Sequence, residues 1–411
     1  MSAVARKQLR HVFTVTSGAT PESGNADYWD GDILWATPED VSSLDSYWLR
    51  DTRRKITQAG YQACGTTIAL ADSILLTKRA PIGQLAVLAH EVCTNQGCFL
   101  LTPRLEEDTR FFYYWLSAQT ALLQILGRGS TFMELSTDEL KSLVVPHPPL
   151  LQQRAIADYL DRETARLDAL VAAKERVLGL LAEKRRALIS RAVTRGLEPR
   201  VRLRNSGIPW LGEVPAHWET RKAAWLFGER DERGEPNLPL LEVSINTGVV
   251  LREFSEERIE SAAADFNTYK VARQGDVVFN KMRMWQGAVG VAPQDGLVSP
   301  DYVVAAPTGP LTPHYAGVLF RTAAFSAECA RRSHGIVWDR LRLYWEGFRE
   351  IVLPMPAAGE QNEIVARIGN ETAKLDQLRA ATDRTIGLLK ERRTTLIAAA
   401  VTGQMEVRSE A

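Results

Sequence analysis

The chain has 411 residues, 45% of them hydrophobic and 24% charged, with 50 Lys and Arg balanced by 50 Asp and Glu. This composition supports sizeable buried cores in two or more domains and excludes a disordered chain. No apolar run reaches the roughly eighteen residues needed to cross a bilayer, and the opening MSAVARKQLRHVF lacks the apolar stretch of a secretion signal, so the expectation is a cytoplasmic protein with no membrane partner.

The first block, residues 1–150, reads as mixed α/β. Strand patterns at DSILLTK and GQLAVLA are broken by Gly, Pro and Asn, and TRFFYYWLSAQTALLQIL reads as one aromatic helix. The block holds 13 basic against 16 acidic residues. Its suggestive cations are Lys78 and Arg79 at a strand end, followed by a Gly83-Gln84 turn, and Arg128 in the loop GRGSTFMEL. Arg and Lys pair with guanine edges and Gln with adenine, so such loops could supply base readout, although a phosphate contact or a plain surface cation fits each residue equally well.

Residues 151–197 read as a long helix of about 60 Å at 1.5 Å per residue. Leu160, Leu167, Lys174, Leu181 and Leu188 recur every seven residues, with Leu170 and Val177 three positions after two of them. So narrow a stripe needs a partner helix. The segment 151–205 is basic, 13 against 7. A connector at 198–218, with Trp210 and Trp218 as aromatic anchors, reads as ordered.

The second block, residues 219–356, repeats the grammar of the first. GDVVFNK ends in Lys281 as DSILLTK ends in Lys78, with Arg283 and a Gln286-Gly287 turn beyond it; the later loop GIVWDRLRL carries Trp338, Arg340 and Arg342. Residues 206–356 hold 16 basic against 19 acidic residues. Neither block is basic enough to grip nucleic acid through bulk charge, so DNA contact would need local patches and a partner's help. The string SPDY at Ser299–Tyr302 is similar to the catalytic loop of amino-methyltransferases. It lacks that loop's second proline and any upstream glycine-rich cofactor loop, and reads as a strand entry.

A second long helix follows at 357–403, with a tail at 404–411. Ile368, Leu375, Thr382, Leu389 and Leu396 keep the seven-residue spacing, with Leu378 between. It is a copy of the first helix at a constant offset of 208: Gln153 matches Gln361, Leu167-Asp168 matches Leu375-Asp376, and Ala192-Val193-Thr194 matches Ala400-Val401-Thr402. The chain is therefore two half-molecules, each a block followed by a helix, and the second helix is the available antiparallel partner of the first. Gly179 and Gly387 sit mid-helix, where Gly costs about 1 kcal/mol relative to Ala; close backbone approach is the expected reason.

The chemistry an enzyme would need is missing. There is no GxxxxGK[ST] loop, no dinucleotide fingerprint and no HExxH. Cys64, Cys93, Cys98 and Cys329 form no CxxC pair and read as reduced thiols rather than metal ligands or disulfides. Two other readings stay open at this stage: a coiled-coil scaffold that binds protein only, and a self-contained DNA methyltransferase or nuclease.

The phrases PHPPLLQQRAIADYLDRETARLDALVAAKERVLGLLAEKRRALISRAVTRGL, SGIPWLGEVPAHWETRK, GDVVFNKMRMWQGAVG, LVSPDYVV and YWDGDILWATPEDV closely resemble the specificity subunit of Type I restriction-modification systems. The resemblance spans essentially the whole chain. It implies two α/β target recognition domains, each reading one half of a split DNA site, set apart by two long antiparallel coiled-coil helices. It also implies a non-catalytic subunit that docks two modification subunits and joins restriction subunits on double-stranded DNA. S-adenosylmethionine, ATP and Mg would be bound by those partners, with no cofactor or metal on this chain. The first block lacks the GIPWLGEVPAHW phrase that opens the second, so its start reads as shortened or variant.

Overall fold

The computed structural model describes residues 5–44, 46–79, 81–127, 133–252, 266–335 and 341–407. Contacts divide the chain into two compact units, one of Met1–Glu175 with Arg384–Ala411 and one of Arg176–Asp383. The division falls inside both long helices, Leu150–Arg195 and Ala358–Val401. Each unit thus owns one block, part of the first helix and part of the second.

In the first unit a five-stranded sheet runs in the order Phe13–Ser17, Cys98–Pro103, Ile74–Thr77, Leu85–Leu88, Trp48–Leu49. Its first four strands are antiparallel neighbours. In the second unit the order Phe227–Arg230, Tyr302–Pro307, Val277–Asn280, Val289–Val291 repeats those four, again antiparallel. Each block is closed just before its long helix by a two-stranded ribbon: Arg6–Gln8 with Val144–Pro146, and Glu219–Lys222 with Val352–Met355. Pro146 and its counterpart Pro354 both lie within these two-stranded edge ribbons, where a missing N–H is tolerated.

The aromatic stretch of the first block is two helices rather than one. Thr109–Ala118 stops at Gln119, and Thr120–Leu126 begins a new axis, with the Thr120 hydroxyl donating back to the Ser117 carbonyl at 2.9 Å. The first helix buries Phe111, Phe112, Tyr114, Trp115 and Leu116 against the sheet. The connector is ordered: Leu203–Asn205 and Glu213–Pro215 form a hairpin, and Trp218 is buried with its indole donating to Glu360 at 2.9 Å.

Within each unit the helix segments run antiparallel and are tied by one matched ion pair. Arg393 meets Asp168 at 3.0 Å in the first unit, and Arg185 meets Asp376 at 2.5 Å in the second. These are the same two residues 208 positions apart. Packing concentrates where helix meets block. Ile156, Ala157 and Leu160 join Ile397, Ala400 and Val401 in the core of the first unit, and Ala192, Val193, Ile364 and Ile368 enter that of the second. Of the predicted interface residues, Leu160, Leu167, Ile368 and Leu375 are buried, and Leu188 and Leu396 are partly buried against these cores. Leu181 and Leu389 are intermediate.

Leu170, Val177 and Leu378 correct the expectation, being 43%, 40% and 55% exposed. All three lie in the middle of the long helices, away from the ends where Leu160, Leu188, Ile368 and Leu396 pack into the cores of the blocks. Gly179 and Gly387 are corrected too: a Cβ at either would meet nothing within 4 Å, so no close backbone approach requires them.

A buried glutamine fastens each block to its helix. Gln153 and Gln361 are 0% exposed in the first turns of the long helices. Gln153 accepts from the Asp108 backbone N–H at 2.9 Å and donates to the Pro148 carbonyl at 2.9 Å. Gln361 accepts from the Thr312 N–H at 2.7 Å and donates to Pro356 and Pro310 carbonyls at 2.9 and 3.1 Å. Asp108 and Thr312 are the N-caps of the block helices Thr109–Ala118 and Pro313–Phe320, so each glutamine satisfies a donor that a helix start leaves open. Among the described residues no helix is long and apolar enough to cross a membrane.

Candidate nucleic-acid interface

The predicted strand-end residues occupy one structural position in both units. The strand Ile74–Thr77 runs into Lys78, whose carbonyl accepts from the Leu135 N–H at 2.9 Å; the strand Val277–Asn280 runs into Lys281, whose carbonyl accepts from the Leu343 N–H, also at 2.9 Å. A second chain segment therefore crosses the strand end in each unit, bringing residue 134 or residue 342 beside the lysine.

In the first unit that neighbour is acidic. Glu134 takes Lys78 at 2.9 Å and Arg79 at 3.0 Å, and the Lys78 side chain is only 12% exposed, with its ammonium 5.1 Å from the Phe99 ring centroid. The hydrogen bond from Lys78, seconded by Arg79, holds the Glu134 carboxyl below its ordinary range. Both predicted cations are thus tied to one carboxylate. Gln84 is also engaged, since its amide oxygen accepts from Ser42 at 2.8 Å. Its turn is set by Gly83 at φ 93°, a left-handed conformation that favours glycine, and by the Thr77 hydroxyl, which accepts from the Gln84 N–H at 3.0 Å.

In the second unit the neighbour is basic. Arg342 is exposed and held by mutual backbone bonds with His334 at 2.9 and 3.0 Å. Lys281 lies 6.0 Å from the Tyr344 ring centroid, and Arg283 is exposed on the turn after the strand. No carboxylate among the described residues pairs with Lys281, Arg283 or Arg342. Gln286 faces a different feature, a groove of about 1150 Å³ lined also by Trp285, Arg186, Ile189 and Arg321. Arg128 of the first unit and Trp338 and Arg340 of the second lie outside the described residues.

Glu134 and Arg54 were not singled out from sequence, and Tyr302 was met only as the end of the SPDY string. Glu134 is 55 residues from Arg79, a separation at which no local pattern signals pairing. Tyr302 faces Asn280 across the ladder; burial raises its hydroxyl's pKa, against a hydrogen bond with Asn280 and the nearby charges of Arg252 and Arg283. Arg54 stacks 3.5 Å over Trp29 and 5.8 Å from Trp35, an exposed guanidinium on an aromatic platform. Alternation in YWDGDILW was the available signal for that platform.

A second network belongs to the first unit alone. Arg110 is clasped by Asp108, Asp158 and Asp161 at 2.7, 2.8 and 2.8 Å. The hydroxyls of Tyr47 and Tyr114 donate to Asp161 at 2.9 and 2.7 Å. Burial opposes the Arg110 charge, but the aspartates outweigh it and raise the pKa; burial and Asp161 likewise raise both tyrosines. These groups are consumed by one another, which marks a structural clamp between block and helix. Among the described residues no cluster of His, Cys, Asp or Glu is arranged to hold a metal ion.

Comparison with known proteins agrees with this architecture. Residues 1–178 match the family described as the Type I restriction modification DNA specificity domain. The chain is 33% identical to the Type I restriction enzyme MjaIX specificity subunit of Methanocaldococcus jannaschii over 156 residues, 38% of this chain and 36% of that protein. It therefore spans only about a third of the length of that relative. The EcoBI specificity subunit of Escherichia coli is 23% identical over 355 residues, 78% of this chain and 69% of that protein. In fold, a chain from a study of assembly and conformational transition of the type I R-M system superposes with a TM-score of 0.71 at 14% identity, covering 98% of this chain and 99% of its own. The HsdS subunit from Thermoanaerobacter tengcongensis gives 0.57 at 15% identity, covering 98% of each.

Proposed function

We propose that this chain, whose residues 1–178 match the Type I restriction modification DNA specificity domain, is the DNA-reading, non-catalytic subunit of a Type I restriction-modification complex, each unit reading one part of a split target. The observation that carries this reading is the paired construction. One strand order and one strand-end crossing occur twice, on sequences that differ where the loops are exposed. Two copies of a geometry with different tips suit two different short sequences, hence an asymmetric target rather than a palindrome. A scaffold that bound only protein would have no use for strand-end cations that, among the described residues, meet no carboxylate.

What the chain leaves uncovered supports two copies of one partner. Leu170 and Leu388 in the first unit are 43% and 65% exposed; Leu378 and Leu180, their counterparts 208 positions away, are 55% and 63% exposed in the second. By the register of the Asp168–Arg393 and Asp376–Arg185 pairs, the two leucines of each unit lie within about a turn of each other. The same apolar pair presented twice suits two copies of one partner, which we assign as two modification subunits supplying much of the phosphate contact that mildly acidic blocks cannot. S-adenosylmethionine would be bound by those subunits, and ATP and Mg by restriction subunits.

The test is co-expression with the candidate modification subunit in a host lacking adenine methylation, followed by single-molecule mapping of methyladenine. A split motif present only when this chain is present supports the reading. A soluble co-purifying complex that leaves DNA unmethylated would overturn it in favour of a scaffold.

A further inference from the structure

We infer that the two units share the electrostatic work of DNA binding unequally, with Lys281, Arg283 and Arg342 of the second unit contacting phosphates while Lys78 and Arg79 of the first remain bound to Glu134. The inference rests on the DNA-reading function proposed above and assigns residues within it. Its starting point is a charge reversal at one structural position. Leu135 and Leu343 donate to the carbonyls of Lys78 and Lys281 at the same 2.9 Å, so Glu134 and Arg342, the residues just before them, are equivalent. The first strand end carries two cations and one carboxylate that bonds both; the second carries three cations and, among the described residues, no carboxylate partner.

The physical consequence is a difference in counterion release. A cation already neutralised by a carboxylate holds few mobile anions and must break its pair before it can meet a phosphate. Exposed, unpaired cations surrender their counterions on binding, and each phosphate neutralised adds about 0.9 to the slope of log K against log salt. Arg283 and Arg342 are exposed, and Lys281 rests beside an aromatic ring that leaves its charge unneutralised. Lys78, at 12% exposure, could reach a phosphate only by abandoning both Glu134 and the Phe99 face. At this strand end the first unit is therefore the less salt-sensitive of the two, and the second the electrostatic anchor.

The experiment measures the affinity of the complex of this chain with its modification subunit for duplex DNA, by fluorescence anisotropy across a salt series. The duplexes are one containing the mapped split motif and one lacking it. Arg342→Glu, which copies the first unit's arrangement into the second, is expected to flatten the slope by about two phosphate equivalents, because it removes one cation and engages Lys281. Arg283→Gln flattens it by about one, and Glu134→Gln, which frees Lys78 and Arg79, steepens it by about one. All three positions are surface or half-exposed, and an unchanged thermal midpoint checks that each variant folds. The inference is overturned if Arg342→Glu and Arg283→Gln leave the slope unchanged, or if Glu134→Gln flattens it. A parent complex that binds both duplexes equally overturns the specificity reading and this inference with it.

Discussion

The junctions between block and helix in the two units are alike in one respect and unlike in another. Both use a buried glutamine, Gln153 or Gln361, directed at backbone groups, and Gln153 also donates to the Glu107 carboxylate at 2.8 Å. Only the first adds an ionic clasp, in which Arg110 meets Asp108, Asp158 and Asp161. At the second unit's counterparts stand His314, Ala366 and Gly369, which cannot form it. A bond to main chain survives any change in neighbouring side chains, whereas a clasp of four charges needs every member to be kept. The backbone-directed bonds therefore leave each block free to change its surface while remaining docked, which suits the proposed reading of varied targets.

The comparison can be broken by substitution. Gln153→Ala and Gln361→Ala each strand a buried donor and carbonyl, and each should destabilise its own unit by about 3 kcal/mol. Burial pushes the Cys93 and Cys98 thiols of the first unit up to about 12 and raises Cys329 of the second well above its ordinary value. At pH 8 all three stay protonated until their unit opens, so alkylation reports each unit separately. Gln153→Ala should speed labelling of Cys93 and Cys98 and spare Cys329, and Gln361→Ala the reverse; uniform acceleration would mean the clamps are not local. Arg110→Ala should cost the first unit about 2 kcal/mol by leaving aspartates uncompensated, while His314→Ala stays within about 0.5 kcal/mol. Denaturant titration with the same thiol readout decides this, and equal costs would contradict the one-sided clasp.

Smaller effects test the symmetric features. Gly179→Ala and Gly387→Ala meet open space, so each should gain up to about 1 kcal/mol of helix stability; a loss in thermal midpoint would restore the idea of close approach. Asp168→Ala and Asp376→Ala remove matched interhelical pairs at carboxylates that are 56% exposed. Each should cost less than about 1 kcal/mol, and less still at high salt. A large or unequal loss would show that the two pairs do different work.

Much of this was legible in the sequence because repetition needs no structure to be seen. The offset of 208 announced two like halves, and GDVVFNK beside DSILLTK placed Lys281 and Lys78 at equivalent strand ends. What was illegible depends on residues distant in the chain. Glu134 neutralises Lys78 and Arg79 only because a later segment folds across the strand, so Lys78, Arg79, Lys281 and Arg283 looked alike until the partner was in view. The heptad positions Leu170, Val177 and Leu378 misled because burial here gathers where helix meets block, not along the whole seam. Gln153 and Gln361 matched each other perfectly, yet a glutamine in a helix gives no sign that it will be buried.

The placement of Ile397, Ala400 and Val401 in the core of the first unit also has a temporal side. The second unit is one uninterrupted stretch, Arg176–Asp383, whereas the first is assembled from the two flanks of that stretch. During vectorial synthesis, with domains folding as their residues emerge, the unit translated first is the one completed last. A nascent chain that has emerged as far as residue 383 holds a finished second unit and a first unit still missing the wall supplied by the final helix.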